Sequence, residues 1–277
     1  MTDKHTVGAD TGPERYSFGT SAAARELFQR RSAVADAGFL LPHLRPGMQL
    51  VDCGCGTGSL TVDLAGIVSP GAVVGFDRAE GAINQARTLA TARCVGNVEF
   101  RIADVYACGL AEGTFDAAHI SGVLAHLADP GLALKVVFAL LQPGGVLGVR
   151  EPQKNGDWFG GTGHEACEEL NALIMADWRA AGGDPSLGRE LPRLLHDAGF
   201  VPIESAAGYS PALSAPAVMS RFAVGRLQEP EFTARVVQAG WITEARVAQL
   251  SSEIQEWAAK PYAVAALAEC VAVGRKP

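Results

Sequence analysis

The feature that most constrains the fold of this chain is the alternation of short apolar segments with helical patterns that follows Pro46. Such alternation is typical of a parallel β-sheet whose strands are joined by crossover helices. It predicts strands at residues 49–53, 72–77, 98–102, 115–120, 145–150, about 201–209 and about 263–273. It predicts helices at 59–68, 79–92, 124–128, 131–141, 166–181, 187–197 and within 212–260. We therefore expect a doubly wound α/β fold.

Two helical segments interrupt this alternation, and they define the expected domain organisation. Residues 152–183 follow the fifth strand, and residues 211–260 separate the sixth strand from the seventh. Both would leave the same edge of the sheet, so we predict a helical cap over a substrate pocket. The expected core comprises residues 46–151, 184–210 and 261–277, and residues 1–45 are expected to form an N-terminal arm and helices that act as a lid.

The charge balance restricts the class of partner. The chain has 23 Lys and Arg residues against 30 Asp and Glu residues, without a basic cluster, whereas nucleic-acid binding depends on clustered basic side chains. No apolar run is long enough to cross a bilayer, and the first thirty residues lack the apolar centre of a signal peptide. We expect a cytoplasmic protein that acts on a small molecule, with no nucleic-acid or membrane partner. A homodimer formed through the cap helices is a hypothesis that the sequence does not test.

A glycine loop joins the first predicted strand to the next helix. Residues 50–60 read Leu-Val-Asp-Cys-Gly-Cys-Gly-Thr-Gly-Ser-Leu. Gly54, Gly56 and Gly58 let the backbone approach a ligand closely and form turns that a Cβ atom would block. Asp52, at the end of the strand, can accept a hydrogen bond. The loop alone is weak evidence for a ligand, because an ordinary strand-to-helix turn can carry the same glycines.

Two further acidic residues strengthen the prediction of a ligand site. Asp77 ends the second predicted strand about 20 residues after the loop, the position from which a carboxylate holds ribose hydroxyls. Asp104 ends the third strand. Each acid could instead cap the helix that follows it. Acids at three successive strand ends favour a shared crevice at the carboxyl edge of the sheet, where open α/β sheets bind ligands.

The spacing of the glycines favours a sulfonium cofactor over a nicotinamide dinucleotide. The dinucleotide pattern G-x-G-x-x-G would need a glycine where this chain has Ser59. The negative charge of Asp52 beside the loop also suits a cationic ligand better than a pyrophosphate. A nicotinamide-dependent oxidoreductase nevertheless stays open as an alternative, because it would share the glycine loop and the acid after the second strand.

The chain resembles the class I S-adenosylmethionine-dependent methyltransferases, and among them the small-molecule branch of the ubiquinone/menaquinone-biosynthesis type. The matching segments are residues 51–58, 75–77, 98–104, 114–130, 141–145 and 191–200. The resemblance implies a Rossmann-like, seven-stranded, mostly parallel sheet and methyl transfer to a small biosynthetic metabolite, for which we expect a hydrophobic or aromatic character. The family usually has Val-Leu-Glu-His where this chain has Ala125 before His126, which could mark a changed substrate.

The resemblance also implies the cofactor contacts. Gly54, Gly56 and Gly58 would line the methionine and ribose, with Asp52 beside them, Asp77 would hold the ribose diol and Arg78 would lie near adenine. Asp104 would bind the adenine amino group with Ala103 and Val105 adjoining, Ser121 would lie near the methionyl group, and Arg31 or Arg30 would reach the cofactor carboxylate. The same residues would serve a protein that uses S-adenosylmethionine for other chemistry, such as cyclisation, so that alternative also stays open.

Methyl transfer from a sulfonium requires positioning and exclusion of water, and a general base helps when the acceptor must lose a proton. His126, after the fourth strand, is the first candidate base, and Glu151, after the fifth, is the second catalytic candidate. His126 could instead hold its own loop through hydrogen bonds to the backbone, and Glu151 would act as a substrate contact. Tyr16, Trp158 and Phe159 are candidate substrate contacts, and His119, inside the fourth strand, is expected in the core.

We predict no metal site. Residues 164–169 read His-Glu-Ala-Cys-Glu-Glu and lack the second histidine of a zinc-binding H-E-x-x-H helix. The six cysteines form no C-x-x-C pair and no disulfide spacing, so we expect free thiols.

Overall fold

A seven-stranded sheet forms the centre of the structure, a computed structural model that describes residues 30–201, 203–210 and 214–277. Its strands are β1 (Leu50–Cys53), β2 (Val73–Asp77), β3 (Val98–Ile102), β4 (Phe115–Ser121), β5 (Leu141–Pro152), β7 (Ile203–Tyr209) and β9 (Ala268–Arg275). Their order across the sheet is β3-β2-β1-β4-β5-β9-β7. A separate two-stranded sheet pairs β6 (Trp158–Gly160) with β8 (Val264–Ala266).

The sheet is mostly parallel, as predicted. The pairs β1–β2, β2–β3, β1–β4 and β4–β5 are parallel, and only β9 runs antiparallel, between β5 and β7. The chain extends outward from β1 to β3 and then returns to place β4 on the other side of β1. The strand order therefore reverses between β1 and β4, and open α/β sheets bind ligands in the crevice at such a point.

Helices cover both faces of the sheet. They are α1 (Ala33–Asp36), α2 (Ser59–Val68), α3 (Glu80–Ala92), α4 (Pro130–Leu140), α5 (Glu165–Ala180), α6 (Leu191–Asp197), α7 (Pro216–Leu227), α8 (Pro230–Gln238) and α9 (Glu244–Ala258). The start of α4 illustrates the local cause, because Asp129 accepts a hydrogen bond from the Leu132 amide and Pro130 occupies the first turn.

Alternate residues of the strands pack into two apolar layers. On one face Val51, Ile120 and Val149 join α4 side chains such as Leu134 in the larger core cluster. On the other face Leu50, Val73, Ala117 and Val146 pack with Leu40 and Leu64. A parallel sheet buried on both faces needs such apolar residues on both sides of each strand, which explains the nearly continuous apolar runs of the sequence.

The helices α5, α7, α8 and α9, here called the cap helices, are joined by ion pairs. Asp177 of α5 is buried and contacts Arg226 of α7 at 3.1 Å and Arg235 of α8 at 2.8 Å. Arg246 of α9 contacts Glu169 of α5 at 2.7 Å. Removing either arginine would leave part of the charge of a buried carboxylate uncompensated, so these contacts tie α7 and α8 to α5.

The structure differs from the sequence prediction in two segments. The predicted strand at 263–273 is divided into β8 and β9, and β8 pairs with β6, which lies in a segment predicted to be helical. Phe159 and Ala265 oppose each other in that pair and are both buried, which accounts for the extended backbone. The single helical stretch predicted for 212–260 is three helices. Pro230 begins α8, and Gly240, with a φ of +72°, follows its end.

Within the described ranges no helix is long and apolar enough to cross a membrane. The six cysteines are all free thiols. Among the described residues no group of three or more His, Cys, Asp or Glu side chains is arranged to hold a metal ion.

Candidate functional site

The glycine loop between β1 and α2 uses its three glycines in different ways. Gly54, Gly56 and Gly58 have φ angles of +76°, +53° and +81°, a region that side chains disfavour. A Cβ atom at Gly54 would lie 2.3 Å from Val123 Cγ2, and one at Gly58 would lie 2.7 Å from Ala86 Cβ. A Cβ atom at Gly56 would have no neighbour within 4 Å. Gly54 and Gly58 are therefore required by packing, whereas Gly56 presents its backbone to open space.

Asp77 joins the glycine loop to the start of α3. Its Oδ2 accepts a hydrogen bond from the Gly56 amide at 3.0 Å, and its Oδ1 accepts one from the Ala79 amide at 2.9 Å. Asp104, exposed at the end of β3, accepts one from the Tyr106 amide at 2.9 Å. Both acids thus lie at the predicted edge of the sheet, where each also stabilises its own turn.

Other predicted cofactor residues surround these acids. Arg78 is exposed directly after Asp77, Ala103 is half-buried and its amide donates to the Asp77 carbonyl at 3.1 Å, and Val105 is buried. The strand ends of β2 and β3 therefore bring Asp77, Ala103 and Asp104 together.

The position of Asp52 corrects a prediction. Its side chain is buried, with Thr61 Oγ1 at 2.6 Å from Oδ2 and His119 Nδ1 at 2.8 Å from Oδ1. Both oxygens are thus engaged beneath the glycine loop, between β1, α2 and β4, rather than turned toward a ligand. Asp52 supports the loop from below, and His119 lies in the core as expected.

A cavity of about 70 Å³ lies at the carboxyl ends of β4 and β5. It brings together four residues that the sequence singled out, namely Arg31, Ser121, His126 and Glu151. It also contains residues that the sequence analysis missed, namely Arg150, Lys154, Asp157, Trp178, Ser210 and Glu269. The predicted cofactor and substrate regions therefore meet around the ends of β1 and β4.

Arg150 and Lys154, two charged residues of this cavity, form ion pairs. Arg150 is buried and forms ion pairs with Glu269 and, at 3.6 Å, with Asp36 of α1. Arg150 also donates to the hydroxyl oxygens of Ser121 at 3.4 Å and Ser210 at 3.2 Å. In the same cavity Lys154 pairs with Asp157. The same lining includes apolar residues such as Trp178 and Leu267, so the hydrophobic or aromatic character of the acceptor stays a prediction.

His126 is buried and its imidazole stacks on the indole of Trp178, with 4.2 Å between ring centroids. Burial, together with the positive charges of Arg78 and Arg226, lowers the pKa of His126 to about 3. His126 is therefore neutral at neutral pH and can accept a hydrogen bond. Because its conjugate acid is strong, it is a weak general base.

Glu151 anchors the turn that carries His126. Its Oε1 accepts hydrogen bonds from the amides of Val123 at 3.0 Å and Leu124 at 2.8 Å, and its Oε2 accepts one from the Ala125 amide at 3.2 Å. Burial raises the pKa of Glu151 to about 7, although these hydrogen bonds lower it. The carboxylate predicted to be catalytic thus makes its contacts with the backbone of the turn.

The predicted substrate contacts are not brought together. Phe159 is buried and packs edge-to-face on Trp257 with 6.2 Å between ring centroids, so it belongs to the core rather than to a substrate wall. Trp158 is 54% exposed, because it points to the opposite face of β6. Tyr16 lies outside the described residues.

The residues that the sequence analysis missed have weak sequence signals. Arg150 is a charged residue at the end of an apolar strand, which hints at a buried ion pair. Glu269 and Ser210 reach the cavity through the antiparallel pairing of β9 with β7, which no local pattern encodes. Trp178 lies on a helix, where an aromatic residue is usually packing.

Comparisons with known proteins agree with this geometry. A family model described as a methyltransferase domain matches residues 44–199. An uncharacterized methyltransferase of Schizosaccharomyces pombe is 27% identical over 195 residues, which cover 67% of this chain and 68% of that protein. The ubiquinone/menaquinone biosynthesis C-methyltransferase of Bdellovibrio bacteriovorus is 34% identical over 107 residues, which cover 39% of this chain and 45% of that protein.

Among solved structures, the [4+2]-cyclase SpnF matches with a TM-score of 0.56 and 18% identity, covering 92% of this chain and 81% of that one. At this identity the likeness shows the fold alone. For several of the relatives, the match spans little more than half of the relative's own length. One example is a protein of Streptomyces fradiae that is 32% identical and is matched over 59% of its length.

Proposed function

Because the chain belongs to the methyltransferase family, we propose that it transfers the methyl group of S-adenosylmethionine to a small molecule. One observation carries this proposal: the glycine loop, held by Asp77, follows β1, and the neighbouring strand β4 ends at Ser121, which lines the cavity together with His126. A cofactor on the loop and an acceptor in the cavity would be neighbours, as methyl transfer requires.

The residues at the loop fit this cofactor. Gly56 faces open space, so the methionine and ribose could lie against its backbone. Asp77 would hold the ribose hydroxyls, and Asp104 would bind the adenine amino group. Thr57 Oγ1 is buried and has no hydrogen-bond partner in the described part of the chain, so it could bind a polar group of the cofactor. When bound, S-adenosylmethionine supplies a methyl group activated by its sulfonium.

The chain's own task is to place the acceptor and to exclude water. Trp178 and Leu267 supply apolar surface to the cavity, and the paired side chains of Arg150 and Lys154 supply polar surface. An acceptor with a polar, uncharged group next to the methylated atom would meet the hydroxyls of Ser121 and Ser210 without separating an ion pair. The neutral His126 could accept a hydrogen bond from such a group.

The cofactor is tested by calorimetric titration with S-adenosylmethionine and, separately, with NADH. We expect S-adenosylmethionine to bind and NADH to give no heat. Asp77→Asn should weaken the affinity at least about tenfold, which corresponds to about 1.4 kcal/mol. Glu231→Gln, at an exposed carboxyl of α8, is the matched control and should bind like the wild type. Binding of NADH, or of neither ligand, would refute the proposal.

Methyl transfer is distinguished from other uses of the cofactor by an isotope label. The enzyme is incubated with a small-metabolite extract and S-adenosylmethionine that carries a deuterated methyl group. We expect S-adenosylhomocysteine to accumulate and the label to appear in one product. A product that forms without the label, while the cofactor stays intact, would support non-methyl chemistry such as cyclisation instead.

A further inference from the structure

One short turn forms a wall of both halves of the site. Residues 123–126, here called the 123–126 turn, follow β4 at the point where the strand order reverses. At one end, Val123 packs so closely on the glycine loop that Gly54 has no room for a Cβ atom. At the other end, His126 lines the cavity. A displacement of this turn would therefore alter the cofactor loop and the acceptor cavity together.

The first amides of a helical turn have no partner within the turn itself. In the 123–126 turn these are the amides of Val123, Leu124 and Ala125, and all three donate to Glu151. The carbonyl of Ala125 is held separately, by Trp178 Nε1 at 2.9 Å and by the Asp184 amide at 2.9 Å. One buried side chain thus accepts all three of these amide hydrogen bonds.

We propose that Glu151 is the positioning residue that couples the two halves of the site. By holding the three amides of the 123–126 turn, its carboxylate sets the positions of Val123 against the glycine loop and of His126 in the cavity. Glu151 acts through the turn and not on the acceptor. This inference rests on the proposed function, because it takes the glycine loop to be the cofactor site.

The coupling should depend on the ionisation of Glu151. A carboxylate offers only acceptor sites, whereas protonation turns one oxygen into a hydroxyl, which donates a hydrogen bond and is a weaker acceptor for the amides of the turn. Burial places the pKa of Glu151 at about 7, so this change falls near neutral pH. Protonation should loosen the 123–126 turn and weaken cofactor binding.

Other charged and titratable groups surround Glu151. Arg150 adjoins it on β5 and favours its ionised form, and His126 on the turn is neutral at neutral pH. The remaining ones on the cavity wall are Arg31, Lys154, Asp157 and Glu269. The pKa of Asp157 is raised by burial, against the effect of Lys154. Because several groups share the cavity, the test compares variants rather than the wild type alone.

The test measures S-adenosylhomocysteine affinity by calorimetry at about pH 6 and about pH 8, on either side of the Glu151 pKa. For the wild type we expect binding three- to tenfold weaker at the lower pH. Glu151→Gln should bind equally at both values, near the weaker level, because an amide keeps one accepting oxygen and places a donor on the other side. Glu169→Gln removes a carboxylate that pairs with Arg246 of α9 instead of the turn, and this variant should keep the wild-type pH dependence.

A second measurement, on the wild type alone, tests the inference even if the Glu151→Gln variant does not fold. Hydrogen exchange of the wild-type amides at residues 123–125, expressed as protection relative to free peptide, should fall several-fold between about pH 8 and about pH 6. Equal affinity and equal protection at both pH values would overturn the inference and leave the proposed function standing. Absence of S-adenosylhomocysteine binding at either pH would instead refute the proposed function.

Discussion

The imidazole of His126 and the indole of Trp178 lie in parallel, 4.2 Å apart with 9° between their planes. The same indole donates its Nε1 hydrogen to the Ala125 carbonyl at 2.9 Å. Trp178 therefore holds both the side chain and the backbone of the 123–126 turn. Because Trp178 belongs to α5, the packing of a cap helix determines where His126 lies on the cavity wall. The cap is thus part of the site as well as its cover.

Trp178→Phe should loosen this contact while it keeps a stacking ring. The substitution removes the hydrogen bond to a buried carbonyl and leaves a small void, so we expect the free energy of unfolding to fall by about 1–3 kcal/mol. Urea unfolding measures this loss, and NMR of the His126 ring should show a shifted resonance. Trp241→Phe, at a residue that is 43% exposed, is the control and should change little. Equal unfolding midpoints for the two variants would contradict the prediction.

His126 should make the protein less stable in acid. Its pKa is about 3 in the folded chain against an ordinary value of 6.5, so between these values only the unfolded chain binds the proton. Stability then rises with pH through this window and is lost as the pH falls from 6.5 toward 3. Relative to His126→Gln, the wild type should lose about 2 kcal/mol between pH 7.5 and pH 5.

Chemical denaturation of both proteins at the two pH values gives this difference. His196→Gln is the control, because His196 is exposed. It should follow the pH dependence of the wild type. A His126→Gln variant that loses as much stability as the wild type at pH 5 would show that His126 is already protonated in the folded chain.

Substitutions in the glycine loop should separate packing from binding. Gly54→Ala places a Cβ atom 2.3 Å from Val123 at a positive φ, so we expect a loss of about 2–4 kcal/mol in the free energy of unfolding. Gly56→Ala adds a methyl group to open space and should cost about 1 kcal/mol, from the positive φ alone.

The same Gly56→Ala variant should bind S-adenosylmethionine at least about tenfold more weakly, because its methyl group occupies the side that faces the cofactor. Urea unfolding and calorimetry distinguish the two effects. Gly144→Ala supplies the control, since Gly144 also has a positive φ and open space around it but lies at the start of β5. Undiminished binding by Gly56→Ala would place the cofactor elsewhere.

Much of the sheet could be predicted from the sequence, because buried parallel strands appear as apolar runs with clear ends. The strand at 98–102 and the helix at 59–68 have the predicted bounds. The positions of Asp77 and Asp104 followed in turn, since both end strands that the sequence marks. The local sequence was sufficient to place these two acids because each lies at or directly after the end of a strand that the apolar pattern identifies.

The rest of the site depends on contacts between distant segments. A strand-end acid can face the edge of the sheet or lie beneath it, and Asp52 lies beneath because Thr61 and His119 come from two other elements. Arg150 meets Glu269 only through the register of β5 with β9. The stacking of His126 on Trp178 depends on how α5 packs. None of these relationships has a local sequence pattern.

The position of β9 also has a consequence for biosynthesis. This strand lies between β5 and β7 and, among the strands of the described residues, is the only neighbour of β7. During translation β7 therefore cannot form its hydrogen bonds with β9 until residues 268–275 have left the ribosome. Glu269, which pairs with Arg150, arrives with the same strand. The nascent chain can assemble β1 to β5 early, but it acquires a complete acceptor cavity only when this late strand inserts.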